Sequence, residues 1–313
     1  MNRLSVQKAM LAGLALMINA GAGAYVAGDY ASGWGQQCSG RVISAFGDVS
    51  LMTWRDDGVV DLLVDNLGAT ILVGTVRDEA EKAFRIGLQK LDPAGKPAPG
   101  FGSPAGFAVG KPDSRAEAAT FDAQGQVVVS SFSELCRFDA DTGQPLHFEF
   151  SASSCVKPWQ GKIEASAYDI AVQPDGKFVL AGRLPDSDAF VARVLPNGTL
   201  DTTFNPPAGF LTLRPAGYSS LQFTSVKIAG NGKILAAGTG YRTADSRRIP
   251  YLARFSANGQ VEAWPPQQLT LPQIGISEDN EFRDLVVIDN PQSAEDDVVA
   301  VGTAYNALRG LIT

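Results

Sequence analysis

The sequence contains a single histidine, His147, and it contains neither a P-loop nor a Cys-x-x-Cys pair. One histidine excludes metal sites built from several imidazoles, and any Ser-His-Asp scheme would depend on His147 alone. There is also no Gly-x-Ser-x-Gly elbow and no dinucleotide-binding glycine pattern. We therefore predict no catalytic residue set, no cofactor and no metal ion, and we interpret His147 as a structural or exposed residue.

Basic residues are also scarce, because 26 Lys and Arg face 33 Asp and Glu and the formal net charge is −7. This balance excludes nucleic acid as the main partner, since phosphate binding requires clustered Lys and Arg. Only 19% of residues are charged and 45% are hydrophobic, which disfavours disorder and allows a buried core. The 33 glycines and 18 prolines favour many short strands separated by turns, so the predicted fold class is all-β.

Residues 1–24 have the layout of a secretory signal peptide. A short positive region precedes an uncharged apolar run from Ala9 to Ile18, and a small-x-small pattern ends at Ala24. We predict cleavage near Ala24, a secreted or periplasmic protein, and no membrane span after removal of the signal. A membrane anchor or a buried helix is the alternative, but the apolar run is short for a bilayer.

Export permits disulfide bonds, and the sequence contains three cysteines. The odd number leaves at least one cysteine unpaired within the chain. Cys136 and Cys155 are the nearest pair, 19 positions apart, and they form a possible disulfide that leaves Cys38 over. Three buried thiols are the alternative.

An internal repeat is the clearest feature of the sequence. The segment 169–210 contains three apolar runs (DIAV, FVLAG and AFVARVL), two glycine turns and the closing segment TLDTTF. Asp175-Gly176 and Asn197-Gly198 are hairpin signals, because these residue types tolerate a positive φ. The runs are short and rich in β-branched and aromatic residues. They predict a four-stranded antiparallel unit with TLDTTF as its fourth strand.

The unit recurs along the chain, and four of its turn glycines (Gly68, Gly125, Gly176 and Gly232) are 57, 51 and 56 residues apart. Periods of four short strands are typical of propeller blades. We predict a single β-propeller domain over 25–313, with about five four-stranded blades. The repeats are approximately 50–107, 115–150, 165–210, 220–266 and 280–313.

The fifth repeat stops before its fourth strand, whereas residues 39–48 (SGRVISAFGD) align with the closing segment 197–206 of the third repeat. We predict that 39–48 pairs with the last blade, so that the N-terminal strand completes 280–313 and closes the ring. Closure would remove the open sheet edges of a linear array. A partial array cut from a longer chain is the alternative.

The repeat resembles the delta-60 repeat family of bacterial β-propeller-like repeats. The third repeat carries most of the resemblance, and the fourth keeps part of it: Gln173, Asp175, Gly176, Lys177, Ala181, Gly182, Ala192, Arg193, Gly198, Leu200, Asp201 and Phe204, then Gly232, Lys233, Ala237, Gly238, Ala253, Arg254 and Gly259. The resemblance spans about residues 39–313. It implies a propeller-like fold and implies no general enzymatic activity.

We interpret the repeated motif residues as structural. Turn glycines allow a positive φ, and glycines after the second strand allow close packing between blades. Arg193 and Arg254 lie at equivalent positions, and each could pair with a motif aspartate such as Asp201 to tie blades together. The structural motif set is Gly68, Gly74, Gly125, Asp175, Gly176, Gly182, Arg193, Gly198, Asp201, Phe204, Gly232, Gly238, Arg254 and Gly302.

Other polar and aromatic residues have simple structural interpretations. The segment 138–144 (FDADTGQ) resembles a calcium loop, but it lacks the later ligands and falls on a predicted hairpin turn. The acidic segments 277–284 and 294–297 are interpreted as solvated loops. Four tryptophans could be either sugar-stacking platforms or blade packing residues: Trp34, Trp54, Trp159 and Trp264.

Together these features predict an exported, non-catalytic β-propeller that acts as a binding or interaction scaffold. Its ligand would be an unknown protein or carbohydrate on a propeller face, where loops converge. The candidate loops are 76–82, 103–117, 151–166 and 240–250. A cell-envelope hydrolase or lyase that uses channel carboxylates is one alternative, and a surface or adhesion component is another.

Overall fold

A computed structural model describes residues 58–78, 82–102, 106–149, 151–263, 280–288, 296–306 and 310–312. Within these ranges the chain forms strands and turns and contains no helix. None of these residues therefore belongs to a helix that could cross a membrane. The predicted signal peptide 1–24, the predicted strand 39–48, Cys38 and three of the tryptophans (Trp34, Trp54 and Trp264) lie outside the described residues.

The strands form five antiparallel sheets that follow one another along the chain. The first contains β1 (Gly58–Val64), β2 (Thr70–Asp78), β3 (Ala83–Leu91) and β4 (Phe107–Pro112). The second contains β5 (Ala118–Phe121), β6 (Val127–Ser131), β7 (Glu134–Phe138), β8 (Pro145–Leu146) and β9 (Cys155–Val156). The third contains β10 (Ser166–Val172), β11 (Phe178–Arg183), β12 (Ala189–Val194) and β13 (Phe210–Leu213).

The fourth sheet contains β14 (Tyr218–Ile228), β15 (Ile234–Arg242), β16 (Arg248–Phe255) and β17 (Val261–Glu262). The fifth contains β18 (Asn280–Ile288), β19 (Asp297–Asn306) and β20 (Gly310–Ile312). Strand order follows chain order in every sheet, apart from β9, which pairs with β7. Each sheet is therefore a meander built from local hairpins.

The described residues divide into two compact units. The first contains those up to 129 and 136–146, and the second contains 130–135 and those from 147 onward. In the first unit, Ile71, Val73, Ile86 and Leu88 are fully buried on β2 and β3. The second unit has a larger core, formed mainly by inward-facing residues of the third and fourth sheets: Val179, Ala181, Ala189, Val191, Phe204, Leu221, Phe223, Val226, Ile234, Ala236, Ala253 and Phe255.

A β-bulge recurs where the first strand of a sheet pairs with the second. The pairing register shifts between Val59 and Asp61, and equivalent shifts occur in β10, β14 and β18. A glycine lies opposite each bulge. A Cβ added to it would lie 1.9–2.1 Å from a carbonyl oxygen of the first strand, so only glycine fits: Gly74, Gly182, Gly238 and Gly302.

The fourth strand of the third sheet differs from the sequence-based prediction, because the segment TLDTTF (199–204) does not continue that sheet. Only Leu200 forms a bridge, with Val194, and the strand that pairs along β12 is β13. The residues between them, 201–209, form a loop that leaves the sheet. The loop closes on the backbone of Arg193, whose carbonyl accepts the N–H of Asp201 (2.8 Å) and whose N–H donates to Gly209 (3.1 Å).

Side-chain hydrogen bonding explains this departure. Asp201 Oδ1 accepts the backbone N–H of Thr203 at 3.0 Å and its hydroxyl at 2.6 Å, a local turn that competes with extended pairing. The first sheet has the same arrangement, since Lys90 bonds through its backbone to Ala98 and Gly106. Repeats one and three thus share an excursion loop before their last strand.

Candidate functional site

The buried arginine of the third repeat is the centre of its motif. Arg193 Nε donates to Asp201 Oδ2 at 2.8 Å, and the guanidinium also donates to Thr203 Oγ1 at 3.0 Å. In the next repeat, Arg193 donates to the carbonyl of Ala257 at 2.6 Å and to Asn258 Oδ1 at 3.3 Å. The ion pair with Asp201 therefore lies within one repeat, and the bonds to Ala257 and Asn258 connect the third repeat to the fourth.

Equivalent cations occupy the same place in other repeats. Lys90 donates to the carbonyl of Ala140 at 2.9 Å, and Ala140 occupies the turn position of Ala257. Arg254 forms an ion pair with Glu262 at 3.0 Å, eight residues later, as Asp201 follows Arg193. At this position, Lys90, Arg193 and Arg254 each bond to a carboxylate or to a turn carbonyl. We interpret the arrangement as structural.

Burial of Asp201 by itself raises its pKa. Hydrogen bonds from Thr203 and the charge of Arg193 outweigh burial and hold the pKa of Asp201 below its ordinary value of 3.8. The carboxylate is therefore an ionised structural partner at neutral pH. It lacks the raised pKa that a general acid requires.

In the first three repeats, an aromatic ring packs on a turn glycine of the next repeat. A Cβ on Gly259 would lie 2.6–2.8 Å from the ring of Phe204, and Gly198 meets the ring of Phe148 in the same way. In the first unit the ring of Phe101 lies against Gly143. The aromatic ring of one repeat therefore contacts the turn glycine of the repeat that follows.

A polar side chain follows the bulge in four first strands: Asp61, Asp169, Ser225 and Asp284. Asp61 Oδ2 accepts the backbone N–H of Ala119 in β5 at 2.9 Å. Asp169 Oδ2 accepts the backbone N–H of Val226 in β14 at 2.7 Å. Sequence analysis missed this role, although Asp61, Asp169 and Asp284 occupy the same position when the repeats are aligned.

In the second unit these residues form a polar cluster of Asp169, Ser225, Lys227 and Asp284. Ser225 Oγ lies 3.1 Å from Asp169 Oδ2 and 2.7 Å from Asp284 Oδ1. Lys227 Nζ lies 2.6 Å from Asp169 Oδ2 and 3.4 Å from Asp284 Oδ1. It also donates to Ser225 Oγ at 3.0 Å.

A serine beside a lysine is one arrangement used for nucleophilic catalysis, in which the neutral amine accepts the hydroxyl proton. Two features of the polar cluster oppose that chemistry. Ser225 is 1% exposed, so a substrate cannot reach its hydroxyl. The two carboxylates beside Lys227 favour its charged form, which has no lone pair to accept a proton.

The remaining candidates from sequence do not converge on one another. His147 is exposed on the strand-like segment after β8, and Trp159 is buried edge-on against Phe190. In the calcium-like segment, Asp139 Oδ1 accepts the N–H groups of Asp141 and Thr142, which forms a hairpin turn. Within the acidic segments, Asp284 belongs to the polar cluster and Asp296 accepts the N–H of Gly230.

Cys136 and Cys155 are both disulfide-bonded. Oxidised sulfurs cannot serve as thiolate ligands for a metal ion.

A concentration of arginine lies on the hairpin β15–β16 and the neighbouring strand ends. Arg242 and Arg247 both contact Asp245 Oδ2, at 2.5 and 3.5 Å. Arg248 and Arg283 both contact Glu281, at 3.2 and 2.5 Å. We call these residues, with the ion pair of Arg214 and Asp188 at 2.7 Å, the arginine surface, although Arg242 and Arg248 project from opposite faces of the fourth sheet.

Tyrosines flank the arginine surface. Tyr241 precedes Arg242 and is 39% exposed, and its carbonyl accepts a hydrogen bond from Ser219 at 3.1 Å. The rings of Tyr218 and Tyr251 meet edge-on with centroids 5.7 Å apart. Burial raises the pKa of Tyr251, and the neighbouring Tyr218 raises it further. The hydroxyl of Tyr251 therefore stays neutral. Arginine and tyrosine are among the residue types enriched in protein–protein interfaces.

The antiparallel sheets and their repeated contacts define an all-β protein of the β-propeller type. Residues 173–204 and 229–263 match a family model described as a domain of unknown function, DUF5122, with a β-propeller. The match covers the two repeats in which the motif is clearest. It confirms the predicted β-propeller-like repeat fold.

No curated protein sequence matches the chain. Among solved structures, the major allergen Mala s 1 of Malassezia sympodialis is 11% identical over 80% of this chain and 75% of that chain, with a TM-score of 0.43. The β-propeller domain of the trilobed protease of Pyrococcus furiosus is 8% identical over 83% and 71%, with a TM-score of 0.40. A GH43 endo-arabinanase from Bacillus licheniformis is 12% identical over 65% and 75%, with a TM-score of 0.40. These likenesses are distant and say nothing of activity.

Proposed function

We propose that the protein is an exported, non-catalytic β-propeller that serves as a binding scaffold. One observation carries the proposal. The charged motif residues are bonded to one another and to the neighbouring repeat, as in the pair Arg193–Asp201 and the polar cluster around Ser225. Side chains used in this way build a rigid frame and leave recognition to the hairpin ends.

The ligand site of this proposal lies on the arginine surface. Most of the segment 240–250, which sequence analysis selected as a candidate loop, forms the ends of β15 and β16. The tip between them, 243–247, is exposed and carries Arg247. A regular hairpin holds its side chains in a fixed geometry, which suits recognition better than an irregular loop does.

We also propose a finer architecture of five blades of the delta-60 type, with a ring closed by residues 39–48. The fifth sheet has three described strands, and residues 39–48 align with the closing segment of the third repeat, which there bridges β12 at Leu200 and leads through the excursion loop into the last strand, β13. Residues 1–24 would direct the chain to the periplasm or the exterior. The signal layout supports this part of the proposal.

Parallel binding and cleavage assays test the scaffold against the hydrolase or lyase alternative. The full chain is incubated with polygalacturonate, arabinan and dextran, and both retardation in affinity gels and release of reducing or unsaturated ends are measured. We expect retardation by at least one polymer and no release of ends. Release that is lost in Asp284→Asn and retained in Asp186→Asn would show catalysis at the polar cluster and overturn the scaffold.

A further inference from the structure

We propose that Asn231 is a site of spontaneous deamidation, at which the side-chain amide is converted to a carboxylate. The sequence contains three Asn-Gly pairs, 197–198, 231–232 and 258–259, and each lies in a turn that follows a strand. Asparagine is a chemically labile residue, and a following glycine has no side chain to hinder attack by its backbone nitrogen. The three pairs are alike in sequence, so their surroundings decide which of them reacts.

The only co-reactant that the reaction needs is water, which reaches the exposed Asn231. The backbone nitrogen of Gly232 attacks Cγ of Asn231 and loses its proton to solvent, and the side-chain nitrogen leaves as ammonia. Water then opens the resulting cyclic imide at either carbonyl and gives aspartate or isoaspartate. The net change is the uptake of a water molecule and the release of an ammonia molecule.

The space around the glycine distinguishes Asn231 from the other two asparagines. Ring closure requires the glycine N–H to leave its turn hydrogen bond, which is 2.9 Å long in all three turns. A Cβ on Gly232 would have nothing within 4 Å, so the backbone there is not packed. On Gly198 and Gly259 an added Cβ would lie 3.0 and 2.6 Å from an aromatic ring. Rotation of the peptide is therefore opposed by packing at those two sites and is free at Gly232.

Hydrogen bonds also hold the other two asparagines in place. Asn197 Oδ1 accepts both the backbone N–H and the hydroxyl of Thr199, at 3.0 and 2.7 Å. The carbonyl of Asn258 accepts the N–H of Asn205 at 2.8 Å, which fixes the peptide plane that has to turn. Asn231 Oδ1 accepts the backbone N–H of Lys233 at 3.1 Å, and lysine has no hydroxyl to add the second bond that Asn197 receives.

The aspartate product has a counterpart in the third repeat. Asp175 and Asn231 occupy the same turn position, and a lysine follows each of them two residues later. Lys177 Nζ forms an ion pair with Asp175 at 3.0 Å. A carboxylate at 231 would give Lys233 the same partner, beside its existing ion pair with Glu262 at 3.3 Å. Deamidation therefore converts the turn of the fourth repeat to the charge pattern of the third, and the fold accepts the product.

Ageing of the full chain at mildly alkaline pH, in water enriched in heavy oxygen, tests the inference. Peptide mapping by mass spectrometry follows the three sites, and the oxygen label marks conversion that occurred before digestion. We expect Asn231 to convert at least about tenfold faster than Asn197 and Asn258, because its peptide rotates without displacing a ring. Equal rates in the folded chain, or faster conversion of Asn197 or Asn258, would overturn the inference.

The same chain aged in urea is the matched control for sequence effects. We expect the three sites to convert there at similar rates, because their contacts are lost. A tenfold preference for Asn231 that persists in urea would assign the effect to sequence and overturn the structural argument.

Two variants identify the product. Asn231→Asp is the standard for the aspartate form, and we expect the aged wild type to gain an acidic species that co-elutes with it on ion exchange. Asn231→Ser cannot deamidate at this position and should not gain that species. Either aspartate or isoaspartate at 231 supports the inference, since both arise from the cyclic imide. An Asn231→Asp variant that melts well below the wild type would contradict the expected pairing with Lys233.

Discussion

At the residue scale, the motif glycines are of two physical kinds. Gly232 lies in an open turn with a φ of 80° and nothing within 4 Å of an added Cβ. Gly238, in the same repeat, lies opposite a bulge, where an added Cβ would be 1.9 Å from the carbonyl oxygen of Gln222. Gly232 is required because its backbone has a positive φ. Gly238 is required because a side chain there would collide with the backbone of β14.

Alanine at these two positions should therefore have unequal effects. We expect Gly232→Ala to lower the free energy of unfolding by about 1–2 kcal/mol, the cost of a left-handed residue with a Cβ. Gly238→Ala should cost about 3 kcal/mol or more, because the backbone of β14 has to move. Urea denaturation of both variants measures the difference, and equal losses would show that the bulge adapts freely.

The ion pair of Asp201 and Arg193 should make stability depend on acid pH. The pKa of Asp201 is lower in the folded state than its ordinary value of 3.8, so its contribution to stability is complete above that value. It is lost as pH falls through the lower folded pKa. We expect Asp201→Asn to flatten the decline of melting temperature below about pH 4, and Asp186→Asn, an exposed control, to leave it unchanged. Parallel curves for Asp201→Asn and wild type would contradict this.

At the scale of elements, the sequence predicted the hairpins well and misplaced the fourth strand of the third repeat, whereas the closing segment of the fourth repeat pairs as β17. Turn glycines and alternating apolar runs are local signals, and the strands β10, β11 and β12 follow them closely. The excursion loop 201–209 depends on bonds from Arg193 to Asp201 and Gly209, which are set by folding. A strand-like composition in TLDTTF could not reveal those partners.

The ring of Phe204 and the turn glycine Gly259 should be energetically coupled. Phe204 is fully buried, and Arg193 lies over its ring at 5.1 Å. We expect Phe204→Ala to cost about 3–5 kcal/mol. Gly259→Ala should be costly in the wild type and milder once the ring is gone, because only the strain of its positive φ then remains.

A double-mutant cycle by chemical denaturation measures this coupling. Gly232→Ala, which has open space around it, is the control and should cost the same with or without Phe204. Strict additivity of Phe204→Ala and Gly259→Ala would show that the two repeats do not depend on this contact for stability.

At the scale of the whole molecule, the proposed closure by residues 39–48 makes a clear prediction. The chain from residue 25 should melt in one cooperative transition. A chain that begins at residue 50 should melt earlier and less cooperatively, because it would expose an unpaired sheet edge. Calorimetry and limited proteolysis of the two chains measure this. Identical melts would show that the fifth sheet needs no strand from the N-terminus.

The candidate site was only partly visible in the sequence. The sequence identified the segment 240–250 as a candidate loop. Its ion pairs, however, include Glu281, which also contacts Arg283, and β18 contributes both residues from a later part of the chain. The polar cluster was hidden for the same reason, since Asp169, Ser225 and Asp284 come from three different sheets. Pairing across repeats is a tertiary property that residue patterns do not encode directly.

The contacts between repeats also run in one direction along the chain, from a ring or cation to the turn of the repeat that follows. Gly259 is 55 residues beyond Phe204, so a ribosome that adds roughly 5–20 residues per second needs about 3–11 seconds to supply it. During that interval the newly made aromatic ring has no partner and is open to a chaperone. Each of the first three repeats can therefore complete this contact only after the next repeat has been synthesised.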